Sequence, residues 1–194
     1  MNLKKQSGLT LIELMVGIVI GLIVVAGGIS FYVATIKGST YTHRITNLTQ
    51  ESSAIMQLMT NELRRVGYGV TAGNLAVPNA SCVLYVYDAN DDGDIDAGDN
   101  EHHGFKRSVT NGVGRVEMKT VGTSMADCAA GTWVTLSDED TIDITTFTVA
   151  NSVTNLTGVD VRHVTLTLDS ESQIDAAINK LESIQIHLRN HNFP

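Results

Sequence analysis

Residues 1–36 read MNLKKQSGLTLIELMVGIVIGLIVVAGGISFYVATI, and between Leu14 and Ile36 no side chain is charged. About 20 consecutive apolar residues cross the hydrocarbon core of a bilayer, so the stretch has the length and composition of a membrane-spanning helix. Lys4 and Lys5 precede the run and acidic sequence dominates beyond it, which puts residues 1–8 in the cytoplasm and the bulk of the chain outside. A secretory signal peptide would have an apolar core of roughly 7–15 residues and a small-x-small cleavage site. The run here is too long and merges into a helical pattern, which favours an anchor. Glu13 stands at its edge. A carboxylate at bilayer depth costs roughly 2.5–3.5 kcal/mol on insertion scales, so its presence calls for a reason.

The helical pattern continues past the apolar run. Ile45, Leu48, Ser52, Ile55, Met59, Leu63 and Val66 recur at steps of three and four, the period of one helix face. No proline precedes Pro78, and Gly67 and Gly69 offer a stop. The expectation is one helix over residues 9–66, about 87 Å long at 1.5 Å per residue. It divides into an all-apolar part, 9–36, and an amphipathic part within 37–69 that lies on a domain of its own chain. Residues 70–194 form that domain. Alternating or β-branched runs at 82–87, 112–119, 132–136, 141–149, 163–168 and 183–188 predict strands separated by Gly, Asn and Asp turns. Ser170 as cap, with Ile174, Ile178 and Leu181 on one face, predicts a short helix over 170–182. The fold class is α+β, an antiparallel sheet packed on the amphipathic half of the long helix.

The 194-residue chain carries a formal charge of −8, which becomes −10 once residues 1–8 and their two lysines are removed. No nucleic-acid partner is expected, since phosphate neutralisation needs clustered Lys and Arg. Cys82 and Cys128 are the only cysteines. Behind an export-type N-terminus an even pair points to one disulfide, with two buried thiols as the alternative. No nucleophile elbow, phosphate-binding glycine loop or HExxH motif is present, and the six histidines are scattered. Adjacent His102 and His103 would point to opposite faces of a strand and are read as surface residues; His163 and His187 fall in predicted strands, as surface or core-edge residues.

A second informative stretch is DANDDGDIDAGD, residues 88–99. Against the calcium-loop template Asp88, Asn90 and Asp92 take the first, third and fifth places, and Gly93 the sixth, where the chain must turn sharply. Asp94 would offer its carbonyl, Asp96 a carboxylate, and Asp99 the twelfth place, shorter than the usual Glu; Glu101 comes two places late. The preceding CVLYVY reads as strand, so the loop lacks its helical flanks. Seven of the chain's 21 acidic residues fall between Asp88 and Glu101 with no Lys or Arg among them. A bound Ca²⁺ would relieve that repulsion; a solvated acidic turn is the alternative.

The stretch KKQSG-LTLIELMVGIVIGLIV closely resembles the class III signal of type IV pilins and pseudopilins, with Gly8, Thr10, Leu11, Ile12 and Glu13 in register. Leu9 stands where phenylalanine is commoner. The resemblance implies cleavage after Gly8 by the prepilin peptidase, N-methylation of Leu9 and insertion in the inner membrane with the C-terminal domain in the periplasm. It also implies later entry into a filament, where Glu13 is the counter-ion for the amine of a neighbouring subunit. ESSAIMQLMTNELRRVGYG, the acidic stretch and the closing QIHLRNHN resemble PilW-type minor pilins, which implies other minor pilins and the major pilin as partners in filament assembly or initiation. A J-type pseudopilin of type II secretion and a membrane-anchored calcium-dependent adhesion module are the alternatives.

Overall fold

The computed structural model describes residues 8, 10–70, 74–96, 98–122, 124–157 and 159–189. They fall into two compact units, one ending at His43 and the other beginning at Arg44. Helix α1 (Leu11–Leu63) contributes to both.

In the first unit every side chain from residue 11 to residue 43 is exposed, and this part of α1 is long and apolar enough to cross a membrane. Four of its hydroxyls are satisfied on the helix itself. Ser30, Thr35, Thr40 and Thr42 each donate to the carbonyl four residues back, at 2.9–3.0 Å. Such back-bonding gives these four hydroxyls a partner where the surrounding medium offers none.

In the second unit α1 buries Leu48, Ser52, Ile55, Met56, Met59, Thr60 and Leu63. The stripe follows the expected three- and four-residue steps, but Ile45 is 38% exposed and lies outside it. The helix also stops at Leu63, three residues before the sequence-based limit. Val66 is still fully buried, in the turn that follows. Gly67 and Gly69 have φ of 76° and 72°, a conformation that glycine adopts without steric cost. The Gly67 amide donates to the Val86 carbonyl at 3.0 Å and the Asp88 amide to the Tyr68 carbonyl at 2.9 Å. A Cβ on Gly69 would collide with that of Asp88. The end of the helix is thereby stitched to the start of the acidic loop.

Eight strands follow: β1 (Leu75–Asn79), β2 (Cys82–Val86), β3 (His102–Thr110), β4 (Val113–Val121), β5 (Thr132–Thr135), β6 (Ile142–Leu156), β7 (Val159–Ser172) and β8 (Asp175–His187). They form two antiparallel sheets rather than one, a five-stranded meander β1-β2-β3-β4-β5 and a three-stranded meander β6-β7-β8. Strands β1 and β3 went unread in the sequence. The helix expected over 170–182 is absent: Ser172 ends β7, and after a turn β8 runs from Asp175. Ile178 is buried while Ile174 and Leu181 are each 67% exposed, so the apolar spacing that mimicked a helix face is split between turn, core and solvent. Ser170 does not cap a helix; fully buried, it shares a 2.7 Å hydroxyl contact with Ser52 of α1.

One hydrophobic cluster joins the α1 stripe to both sheets, through Val83, Tyr85, Phe105 and Val116 on one side and Ile144, Phe147, Leu166, Leu168 and Ile186 on the other. At the margin of this core Glu51 of α1 accepts a hydrogen bond from the Asp138 amide. The single core of the α+β class is present, with two sheets supplying it.

Candidate functional site

Two local arrangements carry chemistry. At the start of α1, Thr10 precedes the first helical residue and its carbonyl takes the first helical bond, from Leu14 N at 3.2 Å. The Glu13 carboxylate accepts from the Thr10 amide at 3.0 Å and from the Thr10 hydroxyl at 2.9 Å, and the Glu13 amide donates to Thr10 Oγ1 at 3.4 Å. This is a reciprocal capping box, T-x-x-E, closed by the same Glu13 that seemed out of place in the apolar run. Within a single chain the carboxylate is thus occupied by the amide and hydroxyl of Thr10. The T-x-x-E spacing is a local signal of this box in the sequence. Gly8 is exposed and open on all sides; Leu9 lies outside the described residues.

The acidic loop joins β2 to β3, two strands rather than two helices. Asp88, 3% exposed, gathers the turn: Oδ1 accepts from the amides of Asp91 at 2.6 Å and Asp92 at 3.3 Å, and Oδ2 from Gly93 at 2.8 Å. Gly93 has φ of 89°, and Asp91 and Asn100 also adopt positive φ, at 63° and 57°. Asn90 accepts from the Asp92 amide and donates through Nδ2 to Asp92 Oδ2 at 2.8 Å and Asp99 Oδ2 at 2.9 Å. The Asp94 side chain is exposed, and its amide donates to Asp92 Oδ1 at 3.0 Å. Glu101 is fully buried. Its two oxygens accept from the amides of Ala89 and Asp96, each at 2.9 Å, and brace the two ends of the loop.

Of the residues read against the calcium template, Asp92, Asp96 and Asp99 converge: one carboxylate oxygen from each lies within 4.8 Å of the others, and all three are exposed. Oxygens sharing one Ca²⁺ at 2.3–2.6 Å lie at most about 5 Å apart, so this donor set fits a hard divalent cation. Asp88 is instead turned onto backbone amides, and Glu101 acts as a brace whose role no spacing template gives.

The description prepilin peptidase-dependent protein B belongs to a family model that matches residues 41–188, about three-quarters of the chain. The chain belongs to that family. The prokaryotic N-terminal methylation motif matches residues 3–29. A type IV-like pilin from Thermus thermophilus is similar in structure, at 14% identity and a TM-score of 0.46, over 74% of this chain and 97% of that one. No curated protein matches. This member of the prepilin peptidase-dependent family is therefore a type IV pilin-like chain whose apolar N-terminal helix anchors it in a membrane.

The rest of the head domain explains how the loop is held. Cys82 of β2 and Cys128, in the segment between β4 and β5, form a disulfide. His102 and His103 open β3 and alternate faces as strand neighbours do, and each is partly buried rather than fully exposed. The end of α1 lies on the His103 side, where Glu62 and Arg65 act on the ring, while His102 lies on the other face within reach of Lys119. His103 stacks on Tyr87 with ring centroids 4.4 Å apart, while Arg65 lies 4.1 Å over the same tyrosine and Glu62 accepts its hydroxyl at 3.3 Å. Burial holds both imidazoles below the usual histidine range. Tyr68, in the turn after α1, reaches Asp91 at 3.3 Å.

Proposed function

We propose that this chain is a PilW-type minor pilin that acts in assembling or initiating a type IV pilus with other minor pilins and the major pilin. In this reading the prepilin peptidase cleaves after Gly8, Leu9 becomes the methylated N-terminal residue, and the head domain faces the periplasm while the apolar helix sits in the inner membrane. The supporting observation is one continuous combination: a methylation motif over residues 3–29 leading into a prepilin peptidase-dependent family match over 41–188.

Glu13 carries the mechanism. Cleavage creates a cationic amine next to Thr10, and neither that amine nor an unpaired carboxylate is tolerated in hydrocarbon. In the single chain Glu13 is engaged by Thr10. As subunits stack, the amine of one and Glu13 of the next neutralise each other, and shared neutralisation favours leaving lipid for the filament. Glu13→Ala is expected to be processed normally yet to enter filaments poorly, which sheared-pilus fractions probed for this chain would report. Full incorporation of the variant would overturn the mechanism.

We further propose that the 88–101 loop takes Ca²⁺ through Asp92, Asp96 and Asp99, with Asn90 and backbone oxygens at its margin. The convergence of three carboxylates supports this reading. Affinity is expected in the weak range of extracellular modules, roughly 10⁻⁴–10⁻³ M. A rise in melting temperature at millimolar Ca²⁺, lost in Asp96→Asn, is the expected result; no shift at that concentration would end the claim.

A further inference from the structure

His163 and His187 lie 24 residues apart in sequence, yet their Nδ1 atoms are 2.8 Å apart. Register explains the meeting. The two are directly opposite in the β7–β8 ladder. The Leu188 amide donates to the Arg162 carbonyl at 3.1 Å, so the next pair along, His163 and His187, occupies a position without mutual backbone hydrogen bonds. At such positions strands come closest, with Cα atoms about 4.5 Å apart, and facing side chains touch. The core-facing neighbours Val164 and Ile186 are fully or almost fully buried, which fixes both strands and sends the two imidazoles to the opposite face. His163 is 7% exposed and held in place, while His187 ends β8 and is open to solvent. The rings meet edge to face, their centroids 4.5 Å apart.

We propose that this pair is a binding site for a first-row transition-metal ion that prefers imidazole nitrogen in a tetragonal arrangement, Cu²⁺ above all. Two neutral imidazoles facing each other through Nδ1 need a proton between them, held by one ring and accepted by the other. A metal ion replaces that proton. The displaced Nδ1 proton leaves to solvent, the same ring takes one up at Nε2, and both rings remain neutral ligands with no net proton released. Metal–nitrogen bonds of about 2.0 Å at right angles put two nitrogens about 2.8 Å apart, whereas a tetrahedral ion such as Zn²⁺ wants roughly 3.3 Å. The order of divalent affinities points the same way, with Cu²⁺ highest. Ser152, directly opposite His163 on β6, is exposed on the same face, and water completes the coordination. The site is separate from the acidic loop, whose oxygen donors suit hard cations, and it stands or falls independently of the pilus reading.

The test is titration of the full chain in detergent micelles with CuCl₂, in millimolar Ca²⁺ so that the carboxylate loop is occupied. Calorimetry gives affinity, and electron paramagnetic resonance counts nitrogen ligands. One ion per chain with two equivalent nitrogens is expected, and His187→Gln should weaken binding at least tenfold and leave one nitrogen. His163→Gln should do the same; if its burial makes that variant unstable, the exposed His187 variant carries the test. His103→Gln should leave the affinity unchanged. Equal affinity in wild type and His187→Gln, or loss of binding in His103→Gln alone, would overturn the proposal.

Discussion

The Glu101 carboxylate gives the most direct measure of how the acidic loop is built. It is fully buried and accepts two backbone N–H groups, from Ala89 and Asp96, at 2.9 Å each. Glu101→Gln keeps size and shape but removes the charge and puts an amide NH₂ where one N–H now donates. A hydrogen bond to a charged group is worth about 1.5–3 kcal/mol. Losing one and weakening the other should cost about 3 kcal/mol, or roughly 6–12 °C in melting temperature for a domain of this size. Full-length protein in micelles, melted in the presence of a calcium chelator, isolates the brace from any ion. Asp94→Asn is the control, because that side chain is exposed and surface changes usually stay within about 0.5 kcal/mol. If the Glu101→Gln midpoint equals that of the control, the brace is not a structural element and the reasoning fails.

Other consequences follow from packing and charge. Replacing both Cys82 and Cys128 with serine opens a loop whose ends are 46 residues apart and should cost about 4 kcal/mol on the loop-entropy model, read by denaturant unfolding with and without reductant. Burial lowers the His103 pKa, so below about pH 6.5 the unfolded chain binds protons that the folded one resists. Stability should therefore fall as pH drops through that value and level off below the folded pKa, and His103→Phe should reduce the slope, leaving the share of His102, whose pKa burial also lowers. Gly131 has φ of 98°, and a Cβ there would sit 2.5 Å from the Val121 carbonyl and 2.6 Å from Lys119 Cε. Gly131→Ala should cost about 2 kcal/mol or more, since alanine is strained where φ is positive, with a parallel loss of melting temperature.

What the sequence made legible was what short-range periodicity encodes. The uncharged run after Glu13 and the stripe Leu48–Ser52–Ile55–Met59–Leu63 required only counting, and the α+β class followed. The 170–182 segment reads as a helix because Ile174, Ile178 and Leu181 satisfy a helical period, while Lys180 and Glu182 interrupt the two-residue alternation that Ile178, Ile184, Ile186 and Leu188 would otherwise show. Pairing with β7 decided between them, and that is long-range information. Pro78 concealed β1, an edge strand where proline is tolerated, and the charged, glycine-containing HHGFKRSVT concealed β3. The partition into two sheets rests on which strands meet, which no local pattern states.

The candidate site divides along the same line. The Asp, Asn and Gly spacing of 88–99 is local and could be set against a template. The brace by Glu101 exists only because β3 returns the chain beside Ala89, and the meeting of His163 with His187 depends on the register of β7 and β8. Thr10 and Glu13 are the exception, a T-x-x-E spacing that is wholly local.

Mass spectrometry of the mature polypeptide from membranes tests the central claim most directly. A chain beginning at Leu9 with one added methyl group on its amine is the predicted result. A polypeptide beginning at Met1, or at any residue other than Leu9, would contradict it.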